Sequence, residues 1–441
     1  MNFESIESLA MCLRNLGAER FYAKELSPND NTKNQIYLGP SFEVLHILPS
    51  GKIQASSRTK SPVLHADLKL SWIGDNCIPC PALHSKLVLY PQYPEVRLSG
   101  FIMGCPSAPS EWMNEQKKGR HKGRILFLGI KNNNSILAYL GTTDSLISKE
   151  YLARKNTFPS TGVLSNLSSQ LGTVDAVDDE KQLIQKLKEI YYTGWIKAKR
   201  LTKGKTKPCY GSNCGGLTIE AELGIEQNSK SDPDYLGWEI KQHHTKNYHK
   251  YANGALTLLT PEPDGGEYLQ GVDKFVSNYG SPTKKQGISY FTGRHVCGLL
   301  NDKTQLQLNV IGFDSITNKI TKADGKISLC NPKGEEAASW SFSKILEHWC
   351  RKHNKAAYIP SEVDKHVRPN LYRYGCRVRL CKRTDPSFLL SVIANRFVYY
   401  DPGIKLEVAS NSVKRRNQFR IKFNDLHSLY QETKDIDVCI E

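Results

Sequence analysis

Residues 233–241 read PDYLGWEIK, and Asp234, Glu239 and Lys241 within it are the residue types that phosphodiester hydrolysis needs. Hard divalent cations prefer oxygen ligands, and magnesium keeps several waters while taking one or two carboxylates. Asp234, Glu239 and the Ile240 carbonyl can hold such an ion, which would polarise the scissile phosphate and lower the pKa of a bound water. Lys241, close to ion and phosphate, can orient the attacking water and offset charge on the pentavalent transition state. Glu220, upstream, can bind or tune a second ion. The tripeptide Glu-x-Lys decides little alone. It recurs at Glu115–Lys117 and Glu432–Lys434, and it suits a solvated edge strand equally well. The other Pro-Asp, Pro263-Asp264, has no Glu-x-Lys after it.

The elements around the motif must therefore position it. If YLGWEIK is a strand, alternation puts Glu239 and Lys241 on one face, and Trp238 and Ile240 on the other, buried one. Ahead of it, LTIEAELG reads as a short helix that carries Glu220 and ends at Gly224. Further upstream, Asp178 and Asp179 precede Leu183, Ile184, Leu187, Ile190 and Tyr191, an amphipathic helical pattern with an acidic start. QLQLNVIGF and NRFVYY read as later strands. Residues 179–441 are thus expected to form an α/β domain with a mixed central sheet. Residues 1–160 read differently: FEVLHILP, KLVLYP, EVRLSGFIM and RILFLGI are short runs bounded by Pro, Gly and Asn, which predicts a β-rich barrel or sandwich. The Ser-, Gly-, Asn- and Asp-rich stretch 161–178 reads as a linker.

A chain of 441 residues is longer than one core usually serves, in keeping with this division. The net charge of +16 favours a polyanionic partner, either nucleic acid or an anionic surface. Lys197, Lys199, Arg200, Lys203, Lys205 and Lys207 crowd one segment; Lys414, Arg415, Arg416, Arg420 and Lys422 crowd another. Trp195, Tyr210, Phe419 and Phe423 lie among them, the mixture that phosphate and base-edge contact requires. No run approaches the roughly 18 apolar residues of a membrane span, and the N-terminus lacks the basic start and apolar core of a secretory signal, so the cytoplasm is the expected compartment. The twelve cysteines show no framework. Cys77 and Cys80 form a lone CxxC, and His348, Cys350 and His353 lack a fourth ligand, so buried free thiols are expected. Histidines 243, 244 and 249 follow the motif, where a packed or solvated role competes with one near the phosphate.

Two N-terminal stretches are dense in amides and charges. The first, AKELSPNDNTKNQIYLG, holds Lys24, Ser27, Asn29, Asp30, Lys33, Asn34 and Gln35. The second runs from Arg97 through Trp112, Asn114, Lys118 and Arg120 to the RILFLG strand. Such side chains suit base edges, and they suit solvated loops as well.

The run GGLTIEAELGIEQNSKSDPDYLGWEIK resembles the nuclease core of the MutH and MvaI/BcnI restriction endonucleases: a glutamate-bearing helix ending in Leu-Gly, a loop, then Asp followed by Glu-x-Lys. GWIKAKR and KRRNQFRIKF resemble the MvaI/BcnI branch, and so does the compact spacing from Asp234 to Glu239. The resemblance implies a PD-(D/E)XK nuclease with Asp234, Glu239 and Lys241 as its catalytic set, Asp234 and Glu239 as metal ligands, Glu220 as the helix glutamate, and magnesium as cofactor. It also implies a monomer that cuts double-stranded DNA at a short CC-containing site such as CCWGG, in a prokaryotic cytoplasm, with a cognate methyltransferase as counterpart. Lys199, Arg200, Tyr210 and His243 would then lie near DNA, with Lys414, Arg415, Arg416, Asn417 and Arg420 in the recognition lobe. The N-terminal pattern LSPND followed by Gln-Ile-Tyr resembles the arms of the EcoRII-type effector domain, a DNA-binding β pseudobarrel. It implies a second DNA site on residues 1–160. Two other functions remain compatible: a DNA-binding regulator that does not cleave, and a repair nicking enzyme of MutH type.

Overall fold

The computed structural model describes residues 3–28, 34–56, 63–74, 76–93, 95–114, 121–168, 170–171, 179–226, 234–247, 254–283 and 287–440. The chain divides into two compact units, 1–177 and 178–441. None of the described helices is long and apolar enough to cross a membrane.

In the first unit, the helix Ile6–Asn15 starts where Ser5 and Ser8 cap each other's backbone N–H groups. Its apolar face (Ile6, Leu9, Leu13) packs on Phe21, Phe127 and Tyr151 to make the core. The underlying seven-stranded sheet centres on Ala18–Glu25, Ile125–Lys131 and Ser135–Gly141; a second, five-stranded sheet contains Gln35–Gly39, Glu95–Ser99 and Lys86–Tyr90. Two expectations need correction. FEVLHILP is no strand: Phe42–His46 forms a 3₁₀ turn begun by the Ser41 hydroxyl, which accepts the Glu43 N–H at 3.4 Å. The stretch read as a linker is partly structured. Leu164–Asn166 pairs with Tyr22 and Ala23 at the edge of the large sheet, and Leu164, Leu167 and Leu171 are buried, because apolar residues recur among its polar ones.

The second unit is built on a mixed sheet. The strand Glu239–His244 runs parallel to Lys355–Asp364 over its whole length. Leu371–Tyr374 and Arg377–Lys382 both pair antiparallel with that same central strand, at 361–364 and 355–358, and the Gly375 N–H donates to the Pro360 carbonyl between them. They form one bent strand on the other side of the central strand from Glu239–His244. The helix Asp179–Thr193 lays Leu183, Leu187 and Ile190 on this sheet, against Trp238, Ile240 and Tyr372. Beyond it, smaller antiparallel sheets enclose an aromatic cluster. Tyr400 is fully buried with Trp340, Phe419 and His295 at ring distances of 4.8, 5.4 and 5.7 Å.

The expectation of free thiols also needs correction. Cys12–Cys77 and Cys209–Cys214 are disulfides, because the fold brings together cysteines whose pairing no sequence spacing announces. The other eight are free, and Cys350 is buried among them.

Burial pushes the His295 imidazole down to about 4, and its Nε2 lies 2.8 Å from the Thr304 hydroxyl. The unfolded chain therefore binds this proton between about pH 6.5 and 4 while the folded chain does not, so the stability it confers is present above that window and lost as pH falls through it. A shift of this size corresponds to about 3 kcal/mol. Asp234, raised to about 7, works in the opposite direction over the same interval. The difference between chains isolates the histidine: from pH 7 to 4 in urea denaturation, wild type loses about 3 kcal/mol more than His295→Gln. Parallel pH profiles would exclude this role.

Candidate active site

The motif is shaped by a tight turn. The Tyr235 and Trp238 backbones exchange hydrogen bonds of 3.0 and 2.8 Å across Leu236 and Gly237, which both have positive φ, 49° and 83°. Such a turn reverses the chain in two residues, and glycine suits its second position. The strand therefore begins at Glu239, later than YLGWEIK suggests, and Asp234 is folded back along it. The Ile240 N–H donates to Asp234 Oδ2 at 2.9 Å. In an extended strand a residue's N–H and C=O leave on the same side, so the Ile240 carbonyl shares Asp234's edge.

Glu239 is 3% exposed, not on a wet face. Its Oε1 accepts from Lys241 Nζ at 2.6 Å; Oε2 has no hydrogen-bond partner and lies 3.6 Å from Lys352 Nζ. Burial pushes Glu239 up, but the charges of Lys241, His353 and Lys352 outweigh it and hold the carboxyl at about 2. Asp234 goes the other way: burial, then the charge of Glu239, raises it to about 7. Glu220, on the helix Cys214–Glu222, is raised by the same two causes. Burial lowers Lys241, yet the charges of Glu239, Asp234 and Glu220 outweigh it and raise its pKa. The site is a half-buried nest of carboxylates held by two ammonium groups. The Glu-x-Lys at Glu432–Lys434 shows the contrast: Glu432 is 53% exposed on an edge strand, with Arg383 at 3.3 Å.

The supports are close-packed. Trp238 is fully buried on the opposite face, with the ammonium groups of Lys382 and Lys355 at 5.5 and 5.7 Å from its ring. Those lysines pair with Glu180 and Asp179, the first turn of the helix that opens the unit. The glutamate helix is fixed by the Cys209–Cys214 disulfide and by Gly215, whose carbonyl accepts the Tyr374 hydroxyl at 2.7 Å. A Cβ on Gly215 would lie 2.7 Å from Gln242 Oε1 and 3.0 Å from Tyr372 Cε1.

The donor chemistry fits a hard cation. Two carboxylates of unlike pKa, one with an oxygen free of hydrogen bonds, adjoin a backbone carbonyl, and no thiol takes part. Among the described residues, Asp234, Glu239 and Glu220 do not gather as a trio of carboxylate oxygens within 4.8 Å of one another. The sequence does not single out Lys352, and it offers His353 only as a metal-ligand candidate within HWCRKH.

Several proposed contact residues lie elsewhere than expected. His243 is buried, 5.1 Å from the Phe423 ring, and burial followed by the Arg379 charge lowers it to about 4. Asn417 is 1% exposed: its Nδ2 donates to Glu262 Oε1 at 3.0 Å and to the Tyr268 hydroxyl at 3.2 Å, and it accepts from the Tyr400 hydroxyl. Arg420 binds Asp401 at 2.7 Å and the Ala255 carbonyl at 2.9 Å. Alternation within KRRNQFRIKF explains the pattern, since Asn417, Phe419 and Ile421 turn inward. Lys414, Arg415 and Arg416 are exposed, as are Arg200 and Tyr210, while Lys199 pairs with Glu222. Asn417→Ala leaves Glu262 and two phenols short of a partner, with an expected loss of about 1–3 kcal/mol in denaturant unfolding. An unchanged midpoint would contradict that role.

In the first unit, Lys24 is buried, its ammonium donating to the Glu25 carbonyl at 3.2 Å. Gln35 accepts from Arg97 and donates to Tyr90, each at 3.3 Å. Ser27 and Asn34 are exposed, and Trp112 and Asn114 half-buried. Asn29, Asp30, Lys33, Lys118 and Arg120 lie outside the described residues. Arg124, unremarked in the sequence, is 2% exposed. It donates to the Trp112, His121 and Ser27 carbonyls at 2.8, 3.0 and 3.3 Å. One guanidinium thus ties the roots of both polar stretches together.

No curated protein sequence gives a significant match. Among solved structures, the chain is similar to a complex of restriction endonuclease MvaI with its cognate DNA substrate, at 19% identity and a TM-score of 0.43, over 58% of this chain and 97% of that one. It is also similar to MvaI in the absence of DNA, at 17% identity and a TM-score of 0.33, over 59% and 99%. The model of the MvaI/BcnI restriction endonuclease family matches residues 184–430, more than half of the chain, and the protein belongs to that family.

Proposed function

We propose that the protein is a type II restriction endonuclease that recognises a short double-stranded site, CCWGG by family resemblance, and cleaves it with magnesium. The observation that carries this reading is the edge strand on which Asp234 caps Ile240 and a buried Glu239 is paired with Lys241. Asp234 and Glu239 would hold the ion, with the Ile240 carbonyl beside them. Bound there, the ion supplies Lewis-acid polarisation of the phosphate and a more acidic water. Lys241 presents its ammonium to the scissile phosphate and the attacking water, and offsets charge as the pentavalent state forms. Lys352 balances Glu239 from the other side, and Glu220 tunes the field. Exposed Lys414, Arg415, Arg416, Arg200 and Tyr210 would meet the DNA. The protein acts as a monomer that nicks the strands successively, with a methyltransferase protecting host sites.

The test is incubation with unmethylated plasmid and magnesium, with the ends mapped. Discrete double-strand fragments bearing 5′-phosphates and 3′-hydroxyls are expected. Nicked circles alone would favour a repair nickase, and binding without cleavage under several divalent ions a regulator.

Residues 1–160 are proposed as a second DNA-binding, effector-like pseudobarrel, with the two polar stretches as its arms. Their common tie to Arg124 supports this reading. Hydrogen exchange on the full chain carrying Lys241→Ala should show protection at residues 26–35 and 112–124 when duplex DNA is added, weakening with salt. DNA-independent exchange throughout 1–177 would remove the effector role.

A further inference from the structure

A second group of candidate ligands lies apart from the carboxylate site. Cys376 sits in the bend between Leu371–Tyr374 and Arg377–Lys382, and Asp437 and Cys439 close the last strand, Glu432–Asp437. The two sulfurs and a carboxylate oxygen all lie within 4.8 Å of one another. Around a tetrahedral zinc, with sulfur at about 2.3 Å and oxygen at about 2.0 Å, ligand atoms stand about 3.5–3.8 Å apart, so small side-chain rotations suffice.

Backbone bonds hold the three residues in register independently of their side chains. Arg377 faces Asp437 in the ladder, and the Val438 N–H donates to the Cys376 carbonyl at 3.0 Å. Asp437 Oδ1 accepts the Cys439 N–H at 3.1 Å, which orients the carboxylate as ligand-supporting contacts do. Cys376 is buried in the sheet core and Cys439 packs against it, so two thiolates and a carboxylate would meet at a low-dielectric edge where a cation is worth most.

We propose that Cys376, Asp437 and Cys439 form a site for one divalent cation of zinc type, fastening the last strand to the bend of the sheet. Thiolates select borderline and soft ions, whereas Asp234 and Glu239 offer only oxygen, so the two sites take different metals. Three protein ligands leave the fourth position to water.

Cobalt(II) titrated into the full, metal-stripped chain reports the site directly. The expected result is an intense thiolate-to-cobalt charge-transfer band saturating at about one ion per chain, displaced by zinc. Cobalt at the carboxylates gives no such band. Cys439→Ser, half-buried near the end of the chain, should remove much of the band's intensity. Asp437→Asn should keep the band and weaken affinity about tenfold or more. Zinc should raise the unfolding temperature of wild type and leave that of Cys439→Ser unmoved. No band in folded wild-type protein overturns the proposal, and so does a band unchanged in Cys439→Ser. A Cys376–Cys439 disulfide, found by mass spectrometry in the reduced and purified chain, overturns it as well.

Discussion

Lys241→Ala lowers the cleavage rate at least about a thousandfold, and specific binding survives. The expected loss is large because the ammonium has two duties in one place. It would face the phosphate, and it lies 2.6 Å from a carboxylate that is 3% exposed. Removing it leaves Glu239 with only Lys352, at 3.6 Å, and the charge of His353, so unfolding should also become easier. The pairing suggests its own control. Glu239→Gln with Lys241→Met removes both charges and should regain stability without regaining cleavage. Asp234→Asn should lose cleavage as Lys241→Ala does. Plasmid digestion and gel-shift binding give both readouts, and wild-type cleavage in Asp234→Asn or Lys241→Ala would falsify the assignment.

Trp238→Ala is expected to cost about 3–5 kcal/mol, the usual range for emptying a large aromatic site in a core. The ring is fully buried against Leu183, Leu187 and Ile190 and receives two ammonium groups. The cavity would open directly beneath Glu239, so cleavage per folded molecule should fall as well. Trp238→Phe should cost less, because the indole N–H has no hydrogen-bond partner to lose. Urea unfolding beside single-turnover cleavage separates the two effects. A loss below about 1 kcal/mol would mean that the strand does not rest on this ring.

The sequence was most legible where periodicity and chemistry coincide. Asp179 to Tyr191 announced a helix, and alternation put Trp238 and Ile240 together in the core. Alternation separates Glu239 from Trp238 but does not say that both faces are covered; Glu239 is 3% exposed, with Lys352 and His353 beside it. Lys352 and His353 come from a helix more than a hundred residues downstream, and only the parallel pairing of Glu239–His244 with Lys355–Asp364 brings them near. The resemblance places Asn417 and Arg420 in the recognition lobe, yet amides and guanidinia suit base edges and buried networks alike. Composition cannot separate these uses; the inward turn at Asn417 can. Arg124 was hidden for a similar reason, since an arginine in a basic run looks solvated until its carbonyl partners are known.

The ion pairs at Asp179 and Glu180 set a boundary for protein engineering. These are the first two described residues of the second unit, and they neutralise the lysines that lie against the Trp238 ring. A nuclease half excised from Lys181 onward would keep every proposed catalytic side chain and still lose both counter-charges under its site strand. The cut that separates the halves cleanly lies ahead of Asp179.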